Sequence, residues 1–176
     1  YFTFVLDLSG GKEDVWKNKV KSKTRNQVRK TEKLDLEIKF GKLELLDDFY
    51  AVISKAWRDL GTPTHSKNFY KNIVLSLDNP KSYDSSFIVI YFEGKPVSCA
   101  CLIFDDYSIH HPYAATLKEF NKHSINNALY WEIIQFAIRK DIKIFDLGRS
   151  REGQSTIRFK LSWGAEQVQL YYYYIN

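Results

Sequence analysis

Between Ser86 and Ala114 three strand-like runs follow one another with almost nothing between them: Ser86 to Phe92, Pro96 to Phe104 and Tyr107 to Ala114. The gaps, Glu93-Gly94-Lys95 and Asp105-Asp106, are turn chemistry and far too short for a crossover helix. Consecutive runs must then pair antiparallel, so a three-strand meander is the frame on which the rest of the chain has to be arranged.

Around that frame the pattern alternates helix and strand. Tyr1 to Leu8 reads as a strand ended by Ser9-Gly10-Gly11, a charged helical region runs to about Lys33, and Leu36 to Phe40 reads as a strand. From Leu43 to Leu60 the apolar positions Leu43, Leu46, Phe49, Tyr50, Ile53 and Trp57 fall at helical spacing. Gly61-Thr62-Pro63 breaks that helix, and Ser66 can cap the next, which reaches about Leu77 before the Asp78-Asn79-Pro80 turn. After the meander, Asn126 or Asn127 starts a mostly buried helix to Lys140. A strand at Lys143 to Leu147, a short helix ended by Gly164 and a final strand carrying Tyr171 to Tyr174 complete the order.

At 176 residues and 20.7 kDa the chain is sized for one domain with a single substantial core. It contains no run of eighteen apolar residues and no tripartite signal-peptide start. It begins at Tyr1 and holds no methionine, so a piece of a longer protein is expected. Cys99 and Cys101 share one face of a strand, a geometry that disfavours a disulfide, and read as reduced core thiols. The adjacent His110 and His111 point to opposite faces and do not supply a metal site. A cytoplasmic location is expected.

The formal net charge of +5 is concentrated. Lys12 to Lys33 holds nine Lys/Arg against three Asp/Glu, and the remainder of the chain is close to neutral. Within this stretch Lys21, Arg25, Arg29 and Lys33 recur at i,i+4, where like charges repel by roughly 0.2–0.5 kcal/mol per pair on a helix. An anionic partner such as a nucleotide diphosphate or a tRNA backbone would relieve that repulsion; a solvated face or an interface with a preceding domain would also accommodate it.

Chemistry concentrates toward the C-terminus. The run Ile142 to Leu147 stops at Gly148 and is followed at once by Arg149 and Ser150, which reads as a buried strand delivering charge to its exit. The short helix after it carries Lys160 next to Phe159, and the four tyrosines then alternate faces, two of them able to reach a groove. Lys160 reads either as a site cation or as a surface lysine on an amphipathic helix. Arg149 reads as a phosphate or carboxylate fork or as the partner of Asp146 or Glu152, with Asp146 tying down the Gly148 turn.

The string Phe145-Asp146-Leu147-Gly148-Arg149-Ser150, followed by Arg158-Phe159-Lys160, Trp163-Gly164 and the tyrosine run, resembles the C-terminal half of the Fem-type aminoacyl and acyl transferases, relatives of the GCN5-like N-acetyltransferases (GNAT). The basic stretch from Ser22 to Lys30, Arg58 to Pro63 and Ile125 to Glu132 fit the same pattern. The resemblance implies an α/β fold, a GNAT-like mixed, mostly antiparallel twisted sheet with helices on both faces. It implies one such domain over 11–176, with residues 1–10 a strand or linker from a preceding GNAT-like domain.

The activity it implies is amide formation: transfer of an aminoacyl group from aminoacyl-tRNA to an amine of a cell-envelope precursor such as peptidoglycan. Lys160 would bind phosphate or stabilise developing negative charge, and the backbone carbonyl of Phe159 would hold the attacking amine. Arg149, Ser150, Arg25 and Arg29 would bind substrate, with Tyr113, Tyr130, Tyr172 and His111 lining the cleft. Arg58 to Pro63 and Gly148-Arg149-Ser150 further resemble a branch found alongside exopolysaccharide and exosortase systems. No cofactor is expected. Acetyl-CoA-dependent members carry a glycine-rich turn before the helix that follows the fourth strand, where bare N–H groups cradle pyrophosphate. Ala115 to Asn127 holds no glycine here, so coenzyme A in that mode is not expected. The alternatives are an acyl-CoA or acyl-carrier donor, or a non-catalytic nucleic-acid-binding domain. The implied location is the cytoplasm, at the inner membrane face.

Overall fold

Side-chain alternation along the central strands decides the layout. In β3 (Asp84–Phe92), Phe87, Val89 and Tyr91 enter one apolar cluster while Ile88 and Ile90 enter another. In β4 (Lys95–Phe104), Cys99 and Cys101 face the first and Ala100 and Leu102 the second. A sheet apolar on both sides has to be covered on both. α3 (Leu46–Asp59) and α4 (Lys67–Ser76) cover one face through Phe49, Ile53, Tyr70 and Val74. α2 (Ser22–Thr31) and α5 (Ile125–Arg139) cover the other through Val28, Leu129 and Ile133.

The computed structural model describes residues 2–77, 83–150 and 155–171. The remaining described elements are β1 (Phe2–Asp7), α1 (Gly11–Asp14), β2 (Leu36–Gly41), β5 (Ser108–Thr116), β6 (Ile144–Ser150), α6 (Ser155–Ser162) and β7 (Glu166–Gln169). The described strands form one sheet in the order β2-β3-β4-β5-β6-β1-β7, antiparallel throughout except for β5 beside β6. This is the mixed, mostly antiparallel α/β architecture expected from the sequence. The first meander turn is tight because Glu93 and Gly94 both take positive φ, 52° and 73°, the two-residue geometry that suits strand twist.

Three expectations are corrected. First, the segment 12–33 is not one helix. α1 passes into a π-helical turn (Val15–Lys19), Val20 and Lys21 are extended, and only then does α2 begin. Tertiary contacts impose the break: Val20 is buried, and the Lys21 N–H donates to the Ser162 carbonyl at 2.9 Å. Second, β6 does not stop at Gly148. Gly148 takes φ 81°, and the strand continues to pair Arg149 with Thr3 and Ser150 with Phe2.

Third, the last described strand precedes the tyrosines. Tyr171 is exposed beyond β7, and Tyr172 lies outside the described residues. Residues 2–8 pack with the main body. β1 is hydrogen bonded on both edges, to β6 and β7, and Phe4, Leu6 and Leu8 are buried in the α2–α5 core.

Candidate active site

A cleft opens where β5 and β6 part. Their parallel pairing covers Ser108↔Ile144, Ile109↔Phe145 and His110↔Asp146 only. Immediately afterwards β5 bulges against β4: His110 pairs with Ile103 and Tyr113 with Cys101, so His111 and Pro112 together face Leu102. Pro112 has no N–H to offer a ladder, which is why proline tolerates such a position. The strands diverge, and a cavity of about 740 Å³ fills the gap. Trp57, His110, Tyr130, Asp146, Arg149 and Lys160 are in its wall.

Lys160 belongs to α6 but is 7% exposed, so its charge is held inside the wall rather than at the surface. Its Nζ donates to the carbonyls of Gly148 at 2.7 Å and Arg149 at 2.9 Å and lies 5.3 Å from the Phe4 ring centroid. Burial pulls its pKa down to about 8, with the Asp146 charge opposing. Asp146 is fixed in turn: its Oδ1 accepts from the Thr3 hydroxyl at 2.5 Å and from the Gly148 N–H at 2.8 Å. The glycine turn, the carboxylate and the lysine are one hydrogen-bonded unit.

His111 turns to the other side of the sheet from His110, as their adjacency implies. It sits edge-on to Tyr130 at 4.9 Å and near Phe145 at 5.2 Å, with Nδ1 buried and unpartnered. Burial, with the Lys160 and His110 charges adding, pushes its pKa down to about 3, so it is neutral at ordinary pH. Burial also raises the Tyr130 pKa.

A second cavity, about 760 Å³, lies at the start of α5. Lys21, Lys23 and Arg158 give it positive charge, and Gln27, Asn126 and Asn127 give it amides. In place of a glycine turn there is a 3-10 turn (Lys118–His123), then Ser124 at φ 60° with its hydroxyl 2.5 Å from Gln27 Oε1. Phe159 lines this cavity and packs edge-on against Tyr130 at 4.8 Å, so one aromatic pair stands between the two hollows.

The expected site residues therefore divide. Lys160, Arg149 and Tyr130 meet in the first cavity, and Phe159 is in the second. The Phe159 carbonyl accepts the Ser162 hydroxyl at 2.6 Å, an occupied acceptor. Ser150 is buried and 3.3 Å from the Thr156 hydroxyl. Tyr113 stands back from the cavity, edge-on to Phe69 and Tyr70 and 6.1 Å from Trp57, which does reach it.

Arg25 and Arg29 leave the site. Arg25 Nη1 donates to the carbonyls of Trp16, Lys17 and Val20, satisfying the end of the π-helical turn, and Arg29 lies 5.6 Å over the Trp16 ring. Their neighbours Lys21 and Lys23 reach the second cavity instead. The sequence reading missed Trp57 and His110 as cavity residues; Pro112 inside a strand was the available signal that a bulge would expose this edge.

Among the described residues no group of three or more His, Cys, Asp or Glu is placed to hold a metal ion, and no helix is long and apolar enough to cross a membrane. Cys99 and Cys101 are free and buried, and burial pushes the Cys101 thiol up to about 12.

Comparison with solved structures places the fold. FemX superposes with a TM-score of 0.81 at 13% identity, over 94% of this chain and 59% of that one. The C-terminal domain (DUF2156) of a lysylphosphatidylglycerol synthetase from Agrobacterium fabrum gives 0.70 at 14% identity, over 94% and 57%. AAC(6')-Iy, bound to a CoA-linked bisubstrate analogue, gives 0.61 at 12% identity, over 80% and 97%. The chain thus spans under three fifths of the first two. Among curated proteins none matches by sequence. A family profile described as "Acetyltransferase (GNAT) domain" matches residues 18–161, most of the sheet and most of the lining of both cavities, and the chain belongs to that family.

Proposed function

We propose that this domain joins an acyl group to a primary amine, the acyl group arriving as an aminoacyl ester on tRNA and the amine on a cell-envelope precursor. The observation that carries the reading is Lys160, a cation held in the wall of a cavity opened by diverging strands. A tetrahedral oxyanion formed beside it would gain several kcal/mol from such a preorganised charge. The amine nitrogen attacks the ester carbonyl, the C–N bond forms, and the oxyanion collapses with loss of the ribose hydroxyl.

The basic second cavity suits phosphate groups of the donor, and Tyr130 with Phe159 marks where the two substrates would meet. The glycine-free approach to α5 supports a donor other than coenzyme A, because side chains there stand where a pyrophosphate would need bare backbone. The fold likeness to FemX and to a lysylphosphatidylglycerol synthetase domain is consistent with an aminoacyl donor. Such a reaction would take place in the cytoplasm at the inner membrane face, and a preceding GNAT-like domain would complete the enzyme. An acyl-CoA donor is the second reading, favoured by the likeness to AAC(6')-Iy.

The full-length protein is incubated with an amine-bearing envelope precursor and either radiolabelled aminoacyl-tRNA or radiolabelled acetyl-CoA. Label that survives mild alkali, which strips esters, reports amide. Amide label from aminoacyl-tRNA alone supports the first reading; amide label from acetyl-CoA alone overturns it in favour of the second.

A further inference from the structure

The last rung on which β5 and β6 pair is His110↔Asp146, and both residues line the cavity that opens beyond it. Residues directly paired across neighbouring strands stand about 5 Å apart on one face of a sheet. Their neighbours confirm that face: Ile109, Phe145 and Leu147 all point into the opposite core. The Asp146 carboxylate cannot swing away, because Oδ1 is held by Thr3 and Gly148, and among the described residues Oδ2 has no partner. His110 is exposed at the cavity mouth. An imidazole and a clamped carboxylate thus share one edge of the cleft, on the side where Trp57 of α3 forms the wall.

We propose that His110, paired with Asp146 across the last rung of the two strands, is the catalytic base that removes the proton from the incoming amine. The inference rests on the amide-forming reading above and identifies the group that makes the amine nucleophilic. An ammonium has no lone pair, so a primary amine must lose a proton before it attacks, and a positioned base with a pKa near the working pH does this best. The other titratable groups of the cavity suit the task less. His111 has its ring nitrogen sealed in and is a very weak base. Lys160 spends two of its donors on backbone carbonyls. Arg149 stays protonated throughout.

Around His110, Asp146 of β6 and Asp105 of the β4–β5 turn favour the imidazolium, while desolvation opposes it and prevails. The imidazole is therefore neutral and receptive near neutral pH, with a carboxylate at hand to stabilise the charge it acquires. The proton balance closes. The ammonium yields one proton to solvent through His110, and the free amine attacks. The second proton, released as the C–N bond forms, passes from His110 to the leaving oxygen as the C–O bond breaks.

Two measurements on the full-length protein test this. In the first, histidine ring NMR follows each imidazole across pH, His110 being assigned by His110→Gln. In Asp146→Asn the His110 midpoint moves to lower pH while His65 and His123 hold theirs; an unmoved His110 midpoint overturns the electrostatic coupling of the two, whatever the donor proves to be. In the second, transfer from the active donor is compared for the wild type and His110→Gln. The variant loses about a hundredfold in kcat/KM and the acid limb of the pH profile. Hydroxylamine, whose nitrogen is already unprotonated near neutral pH, restores most of the rate. A variant that keeps its acid limb, or that hydroxylamine does not rescue, overturns the proposal. Should the wild type transfer from neither donor, the amide-forming reading falls and the base assignment with it, and the NMR result then decides only whether the imidazole and carboxylate are coupled.

Discussion

The two halves of the sheet are built to different rules. From β2 to β5 the strands are antiparallel, apolar on both faces in the middle, and joined at the meander by short turns, with Phe87, Ile88, Val89 and Ile90 all fully enclosed. From β6 to β7 the pairing is shorter. Leu147 and Gly148 of β6 bulge against Phe4 of β1, Gly148 takes positive φ, and a lysine and a neutral histidine are buried nearby. The first half supplies stability and the second spends some of it on polar groups in a cleft. Functional sites concentrate such exceptions, and here they gather around a single break, between β5 and β6.

The largest expected effect breaks the comparison on the cleft side. Lys160→Ala lowers the rate of acyl transfer by about 10²-fold or more, while circular dichroism shows the fold retained. Undiminished transfer would remove chemistry from this half of the molecule. The counterpart is Phe87→Ala, which deletes a fully buried ring stacked on Phe49 at 4.4 Å. It should cost about 3–5 kcal/mol in urea unfolding, with the transfer rate per folded molecule unchanged.

Titration sharpens the contrast. His111 has its pKa depressed from 6.5 to about 3, so between those values the unfolded chain binds the proton and the folded one does not. Stability is then full above the unfolded pKa and falls as pH drops, with a slope approaching about 1.4 kcal/mol per pH unit from this residue. His111→Phe removes that contribution, and urea midpoints at a series of pH values measure the difference in slope between the two proteins.

Two smaller effects locate the boundary. Gly164 holds φ 83°, and a Cβ there would come within 2.6 Å of the Lys19 carbonyl oxygen, so Gly164→Ala should cost more than about 1 kcal/mol by thermal unfolding. Ser66→Ala removes the hydroxyl that caps α4 through the Phe69 N–H, a loss of about 1 kcal/mol or less that should leave transfer untouched.

What could be read locally was read well. Alternation located β3, β4 and β5, helical spacing located α3, and a serine at the right offset located the start of α4. Each signal lies within a few residues of the structure it reports. The misreadings share another cause. Arg25 looks like an anion ligand until the π-helical turn supplies three carbonyls for it. Gly148 looks like the end of a strand until β1 arrives to pair beyond it. The resemblance placed Lys160 in the site but could not show that its donors would turn back onto the carbonyls of β6.

By itself, the order of apolar runs, turns and caps determined a three-strand antiparallel meander with helices and further strands around it, because burial periodicity and turn chemistry act over short stretches of chain. Only the tertiary structure decided which polar residues share the cleft. His110 and Asp146 are thirty-six positions apart, and their meeting depends on strand register, a bulge and the placement of β1, none of which a local pattern encodes.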